Sequence, residues 1–138
     1  MDNGGVLPAP ADKVGFEATS WTTDGRRLAG LSALLSDNSS LPDLLVYSFD
    51  TNKYAVFKEV IPAAKTTPTQ DVTVWMNDDR RLLLMNGGRL TIVDTQSGKS
   101  HLIFNQSDHN WLSLPGDNRW LYMAHRADEA DVWLATLK

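Results

Sequence analysis

Three histidines, His101, His109 and His125, are the only imidazoles in this chain of 138 residues. Asp108 precedes His109, while Arg126, Asp128 and Glu129 follow His125 closely. Imidazole with carboxylate is a ligand set for a divalent metal, and Arg126 suits a small anion. No H-x-H or H-E-x-x-H spacing accompanies them, so the expectation is a solvated loop face with no metal and no cofactor. A second set of acids, Asp24, Asp78 and Asp117, resembles a carboxylate array. Asp at the first position of a turn accepts backbone N–H bonds, and that role accounts for all three. Catalytic signatures are missing. Ser32 sits in AGLSALL without the G-x-S-x-G spacing, and His125-Arg126-Ala127-Asp128 lacks the Gly-rich loop and strand lysine of a kinase. There is no Cys, which excludes disulfides, thiolate metal sites and a Cys nucleophile. The expectation is a protein that is not an enzyme.

Composition narrows the partners. With 13 Lys+Arg against 17 Asp+Glu, the net charge of −4 offers no basic face for a nucleic acid. The longest charge-free apolar stretch, Leu28 to Leu35, is far short of the ~20 residues of a membrane helix, so no membrane insertion is expected. The opening MDNGGVLPAP carries neither a basic nor an apolar leader region, and no signal peptide is read from it. The compartment stays open, on either side of a bacterial membrane.

The elements that must position these residues are read from repetition. ATSWTTDGRRLAGLS (Ala18 to Ser32), VTVWMNDDRRLLLMN (Val72 to Asn86) and NWLSLPGDNRWLYMAH (Asn110 to His125) each read as an apolar strand, an Asp-opened turn, an arginine re-entry and a second strand. The re-entry arginines are Arg27, Arg81 and Arg119. A second unit recurs as LVYSFDTNKYAVF, LTIVDTQSGKSHLIF and, shortened, VWLATLK. The intervals between units are uneven. The extra residues fall in LLSDNSSLPD and IPAAKTTPTQD, whose Ser, Asn, Asp and Pro content marks loops. Val72, Val74 and Met76 alternate with Thr73 and Trp75, a period of two, and Leu82 to Met85 is apolar on both faces. No apolar stripe has helical spacing. The fold class is all-β.

Two units then have four strands each, and the third ends after three. The expected strands are Phe16–Trp21, Arg27–Leu34, Leu44–Phe49 and Tyr54–Val60; then Val72–Met76, Arg81–Met85, Leu90–Val93 and Ser100–Phe104; then Asn110–Leu114, Trp120–His125 and Asp131–Leu137. Four antiparallel strands repeated every roughly 40–45 residues make a β-propeller blade, with a two-layer β-sandwich as the competing architecture. After an irregular segment 1–13, the propeller segment runs over 14–138, with blades at about 16–60, 72–104 and 110–138.

SWTTDGRRLAG resembles the W-S-P-D-G-R-x-L-A hairpin of TolB-like (WD-repeat-like) β-propellers, and ADVWLATLK resembles their D-I-W-L-x-x-L third strand. The likeness extends over Phe16 to Lys138. It departs at Thr22-Thr23, Met76-Asn77 and Pro115-Gly116 in place of Ser-Pro, and at Asp79 and Asn118 in place of the Gly that survives as Gly25. These segments are similar to the C-terminal blades of propellers attached to bacterial Ser/Thr kinases, and to propellers of TolB and prolyl-oligopeptidase-type enzymes. The resemblance implies a non-catalytic surface for a protein partner or small ligand, within a larger sensor or scaffold. The alternatives are the regulatory propeller of a hydrolase whose catalytic domain is absent from this chain, and a small-molecule binder completed by homodimerisation.

Three blades do not close a ring. Self-association, with two copies giving six blades, or the rest of a longer propeller would cover the open sheets. The missing fourth strand of the third blade has Gly5–Leu7 as a donor, weakened by the neighbouring prolines. Trp21, Trp75 and Trp133 are expected to pack between blades, and the arginines to be solvated or to brace turns. In this topology the connections between blades and those between second and third strands share one face. Asp108, His109, His125, Arg126, Asp128 and Glu129 gather there, with Leu35–Pro42, Ile61–Asp71, Gln106–Asn110 and His125–Asp131 as its contact surfaces.

Overall fold

The computed structural model describes residues 6–11, 14–34, 42–58, 60, 72–86, 88–105, 109–125 and 132–136. Eleven strands are formed: β1 (Val14–Trp21), β2 (Arg27–Leu34), β3 (Leu44–Ser48), β4 (Lys53–Phe57), β5 (Val72–Trp75), β6 (Arg81–Asn86), β7 (Arg89–Asp94), β8 (Ser100–Asn105), β9 (His109–Ser113), β10 (Trp120–His125) and β11 (Val132–Thr136). Among the described residues there is no helix. The strands form three antiparallel meanders, β1-β2-β3-β4, β5-β6-β7-β8 and β9-β10-β11. We call them sheets A, B and C. Successive sheets meet through their leading strands, β1 and β2 against β5, then β5 and β6 against β9. This is an all-β propeller segment of three blades, the third without a fourth strand among the described residues.

Alternation along β6 explains why the sheets stack face to face. Leu82 and Leu84 point to the core shared with sheet A, beside Ala29, Leu31, Leu44, Val46 and Trp75. Leu83 and Met85 point to the core shared with sheet C, beside Leu112, Leu121 and Met123. A strand covered on both sides must be apolar at every position, as Leu82 to Met85 is. The outer strand β8 is exposed along most of its length, with Leu102 and Ile103 each 40% accessible.

Sheet A departs from this scheme on the face turned away from sheet B. Its β1 carries a bulge between Ala18 and Ser20, which brings backbone close to Gly30. A Cβ at Gly30 would lie 1.9 Å from the Glu17 carbonyl oxygen, so only glycine fits. Phe16, Tyr47, Phe49 and Tyr54 make edge and tilted ring contacts on this face, with centroids 4.8–5.2 Å apart. The Tyr54 hydroxyl donates to the Pro8 carbonyl at 2.8 Å, and burial raises its pKa, helped by Tyr47.

Two expectations are corrected here. Trp21 is 69% accessible because no described segment covers it, whereas Trp75 is buried between sheets A and B. The side chain of Trp133 lies outside the described residues. Val6 and Leu7 form no strand beside sheet C, and the neighbouring Pro8 is engaged at sheet A instead; Gly5 is outside the described residues. Prolines leave this segment too few amide donors for a ladder.

Core position sets mutational cost. Leu83→Ala should lower unfolding free energy in urea by about 2–5 kcal/mol, whereas Ile103→Ala on β8 should stay within about 0.5 kcal/mol. Gly30→Ala, a gain of one methyl, should cost about 2–4 kcal/mol because the obstacle is backbone.

Candidate functional site

Antiparallel alternation gives each sheet two ends, and the candidate residues divide between them. At one end lie the Asp-opened turns. Asp24 Oδ1 accepts from Thr22 Oγ1 at 2.6 Å and from Arg26 N at 2.9 Å. Asp78 Oδ1 accepts from Arg80 N at 3.0 Å and Arg81 N at 2.9 Å, and its Oδ2 from Arg81 Nε at 2.6 Å. Asp117 Oδ1 accepts from Arg119 N at 3.1 Å. The Thr22 hydroxyl and the Arg26 amide hold the Asp24 carboxyl below its ordinary pKa. Burial opposes the same effect at Asp78, but the Arg81 and Arg80 amides and the Arg81 side chain prevail and lower it. Within sheet B, Asp94 is bracketed by Arg80 Nε at 3.1 Å and Nη2 at 2.5 Å and by the Gln96 amide at 2.9 Å. The Arg80 side chain first, then backbone amides, hold Asp94 well below the carboxylate range.

The residue after each turn acid is left-handed: Gly25 at φ 70°, Asp79 at φ 49° and Asn118 at φ 55°. Asp and Asn tolerate this conformation best among residues with a Cβ, so the turn survives loss of glycine. Their side chains also do something glycine cannot. Asp79 accepts from the Thr23 amide at 2.7 Å and the Thr23 hydroxyl at 2.6 Å, and Asn118 accepts from the Asn77 amide at 3.1 Å. Each reaches the turn of the sheet before it. Arg27 completes the first joint by lying over the Trp75 ring, 5.0 Å from its centroid, while donating to the Asp79 carbonyl. Deeper in, the bulged Thr19 presents Oγ1 to the Thr73 amide at 3.1 Å.

The sequence reads Arg27 as solvated or turn-bracing and Asp79 and Asn118 as departures from the turn glycine. What it does not show is that Arg27 braces the turn of the next sheet and that Asp79 and Asn118 reach the turn of the sheet before. The readable signal was that both substitutes for glycine are the residue types that accept a left-handed backbone. The alignment of re-entry arginines also shifts. Turn hydrogen bonds make Arg119 the equivalent of Arg26 and Arg80, and Trp120 that of Arg27 and Arg81.

At the opposite end, β9 and β10 place His109 directly opposite His125, beside an irregularity that leaves Asn110 out of register. Asp108, Arg126, Asp128 and Glu129 lie outside the described residues, as do most of the four connections expected to form the contact surface. His101 belongs to another sheet, exposed on β8. Among the described residues no group of three His, Cys, Asp or Glu stands close enough to hold a metal.

No family model and no curated protein matches the sequence. Solved structures match in fold. An oligogalacturonate lyase in complex with manganese superposes with TM-score 0.69 at 15% identity, over 99% of this chain and 39% of its own. An oligogalacturonate lyase from Vibrio parahaemolyticus gives 0.61 at 12%, over 93% and 37%, and TolB from Acinetobacter baumannii gives 0.60 at 14%, over 87% and 29%. The chain spans two-fifths or less of the length of each. The TolB-like propeller reading therefore stands, while these neighbours lend nothing to a kinase connection. The expectation that the chain is not an enzyme is overturned: two of these neighbours are lyases, so the fold accommodates catalysis. A fold does not by itself fix an activity, and the absence of a linear motif does not exclude one.

The joint separates two roles of one side chain. Asp79→Gly keeps the left-handed turn but loses the Thr23 bonds, and should destabilise by about 1–2 kcal/mol in urea unfolding, whereas Asp79→Asn should cost less than half of that. Because Asp94 titrates lower in the folded chain than in the unfolded one, its contribution is present above about pH 4 and lost as pH falls further. Thermal melts of Asp94→Asn should accordingly show a weaker acid-side decline than the parent.

Proposed function

We propose that the chain supplies three successive blades of a larger propeller that recognises its ligand or protein partner at the end bearing the β2–β3, β4–β5, β8–β9 and β10–β11 connections. One observation carries it. Tyr122 of sheet C, 39% accessible, occupies the position held in sheets A and B by Ala29 and Leu83, both buried against the following sheet. The joint is thus built to continue. At the Asp-turn end the carboxylates of Asp24, Asp78 and Asp94 are engaged with neighbouring amides and arginines, so these acids brace turns and do not serve a partner. A longer ring is the favoured cover for sheet C, with a second copy as the competing outcome. Light scattering on this chain alone should show concentration-dependent association that Tyr122→Glu abolishes. A parent that stays monomeric at every concentration would overturn the reading.

A second reading, catalysis of the kind performed by oligogalacturonate lyases, is favoured by the His109–His125 pairing across β9 and β10. Two histidines at one register position are the residue type of a manganese ligand set, and among the described residues no group of three His, Cys, Asp or Glu stands together. If this reading holds, Mn2+ titration followed by paramagnetic resonance should give saturable binding that His109→Ala and His125→Ala each weaken. Unchanged binding in both variants would remove it.

A further inference from the structure

A cavity of about 190 Å3 opens in the wedge between the outer strands of sheet A and the β7–β8 turn of sheet B. Val46 and Phe57 form its apolar floor, and Arg27, Lys53, Thr51 and Thr95 its polar walls. Its size is roughly that of six waters, well below a drug-sized pocket. No carboxylate lines it. The nearest acids in sequence are already engaged: Asp50, next to Thr51, faces Arg26 at 3.8 Å, and Asp94, next to Thr95, is clamped by Arg80. Among the described residues, Arg27 and Lys53 have no carboxylate partner within salt-bridge distance.

Arg27 is also fixed in place. Stacking on Trp75 and donation to the Asp79 carbonyl engage one face and one edge of the guanidinium, and its planar fork carries five donors in all. A cation held before a ligand arrives loses little side-chain freedom on binding. Lys53 adds a mobile charge at the rim, and the Thr51 hydroxyl adds a donor.

We propose that this wedge binds a small organic anion, with a carboxylate or phosphate head between Arg27 and Lys53 and a compact apolar body against Val46 and Phe57. The site lies at the Asp-turn side of the sheets, away from the connection end, and stands independently of the recognition role above. Amide chemical shifts of the isotope-labelled chain should be followed during titration with phenyl phosphate, benzoate, inorganic phosphate and benzyl alcohol. Saturable shifts at Thr51, Lys53 and Thr95 are expected with one or both aromatic anions, and which binds tighter identifies the head group. Inorganic phosphate should bind about tenfold more weakly for want of the apolar body, and benzyl alcohol should not saturate. Lys53→Glu, an exposed substitution outside every joint, should weaken the preferred anion at least about tenfold while leaving the spectrum folded. Linear, non-saturating shifts with both anions, an equal response to benzyl alcohol, or unchanged affinity in Lys53→Glu would each overturn the proposal.

Discussion

A left-handed residue in the hairpin turns of sheets B and C, armed with a side chain that reaches the turn before it, sets the geometry on which the remaining structure depends. The apolar faces of sheets A, B and C attract one another without direction, and hydrophobic burial alone would tolerate sliding or rotation of one sheet on the next. Asp79 and Asn118 remove that freedom. Each is pinned by its own turn and bonded to a backbone amide one sheet earlier. The Arg27 guanidinium on Trp75 adds a second fixed point beside the first, and two points on one edge define an angle between sheets.

Register and cohesion come from different groups. The exposed ion pairs, Arg26 with Asp50 and Arg80 with Asp94, are screened and contribute little to cohesion. Leu82 to Met85 contribute most, because β6 delivers alternate side chains to two cores and lets sheet B serve as the common wall. Removing a joint therefore changes how the sheets are aligned more than whether they adhere. The carboxylates at the Asp-turn end are structural by the same logic: their oxygens already point at amides, arginines and hydroxyls within the chain.

The sequence disclosed the strands, the three Asp turns and the propeller order because these depend on period-two patterning and on turn chemistry confined to a few residues. Leu82 to Met85 could be read as doubly covered for that reason alone. The joints were not legible, since Thr23 and Asp79 are far apart in the chain and neither residue type signals the other. Trp21 and Trp75 illustrate the limit. Both precede an Asp turn at the same position, yet one is exposed and the other buried, and only the sheet lying in front decides which. The pairing of His109 with His125 was hidden in a similar way, because register across β9 and β10 depends on an irregularity at Asn110 that no local pattern announces.

Sheets A and C end the described array with faces of different character. On sheet A the β1 bulge closes over Gly30, and the Tyr54 hydroxyl is tied to Pro8, so much of that face is occupied by its own chain. The corresponding positions on sheets B and C carry Leu84 and Met123, which insert into the sheet before them. Gly25 likewise has no side chain to reach an earlier turn, where Asp79 and Asn118 do. On sheet C the forward face keeps its large side chains, but Trp120 stands where sheets A and B have Arg27 and Arg81. A sheet docked there meets two aromatic rings in place of a guanidinium, and gains contact area instead of a charged clamp. The asymmetry gives the array a direction: sheet C presents exposed aromatic rings on its forward face, while sheet A lacks the groups by which each later sheet grips the one before.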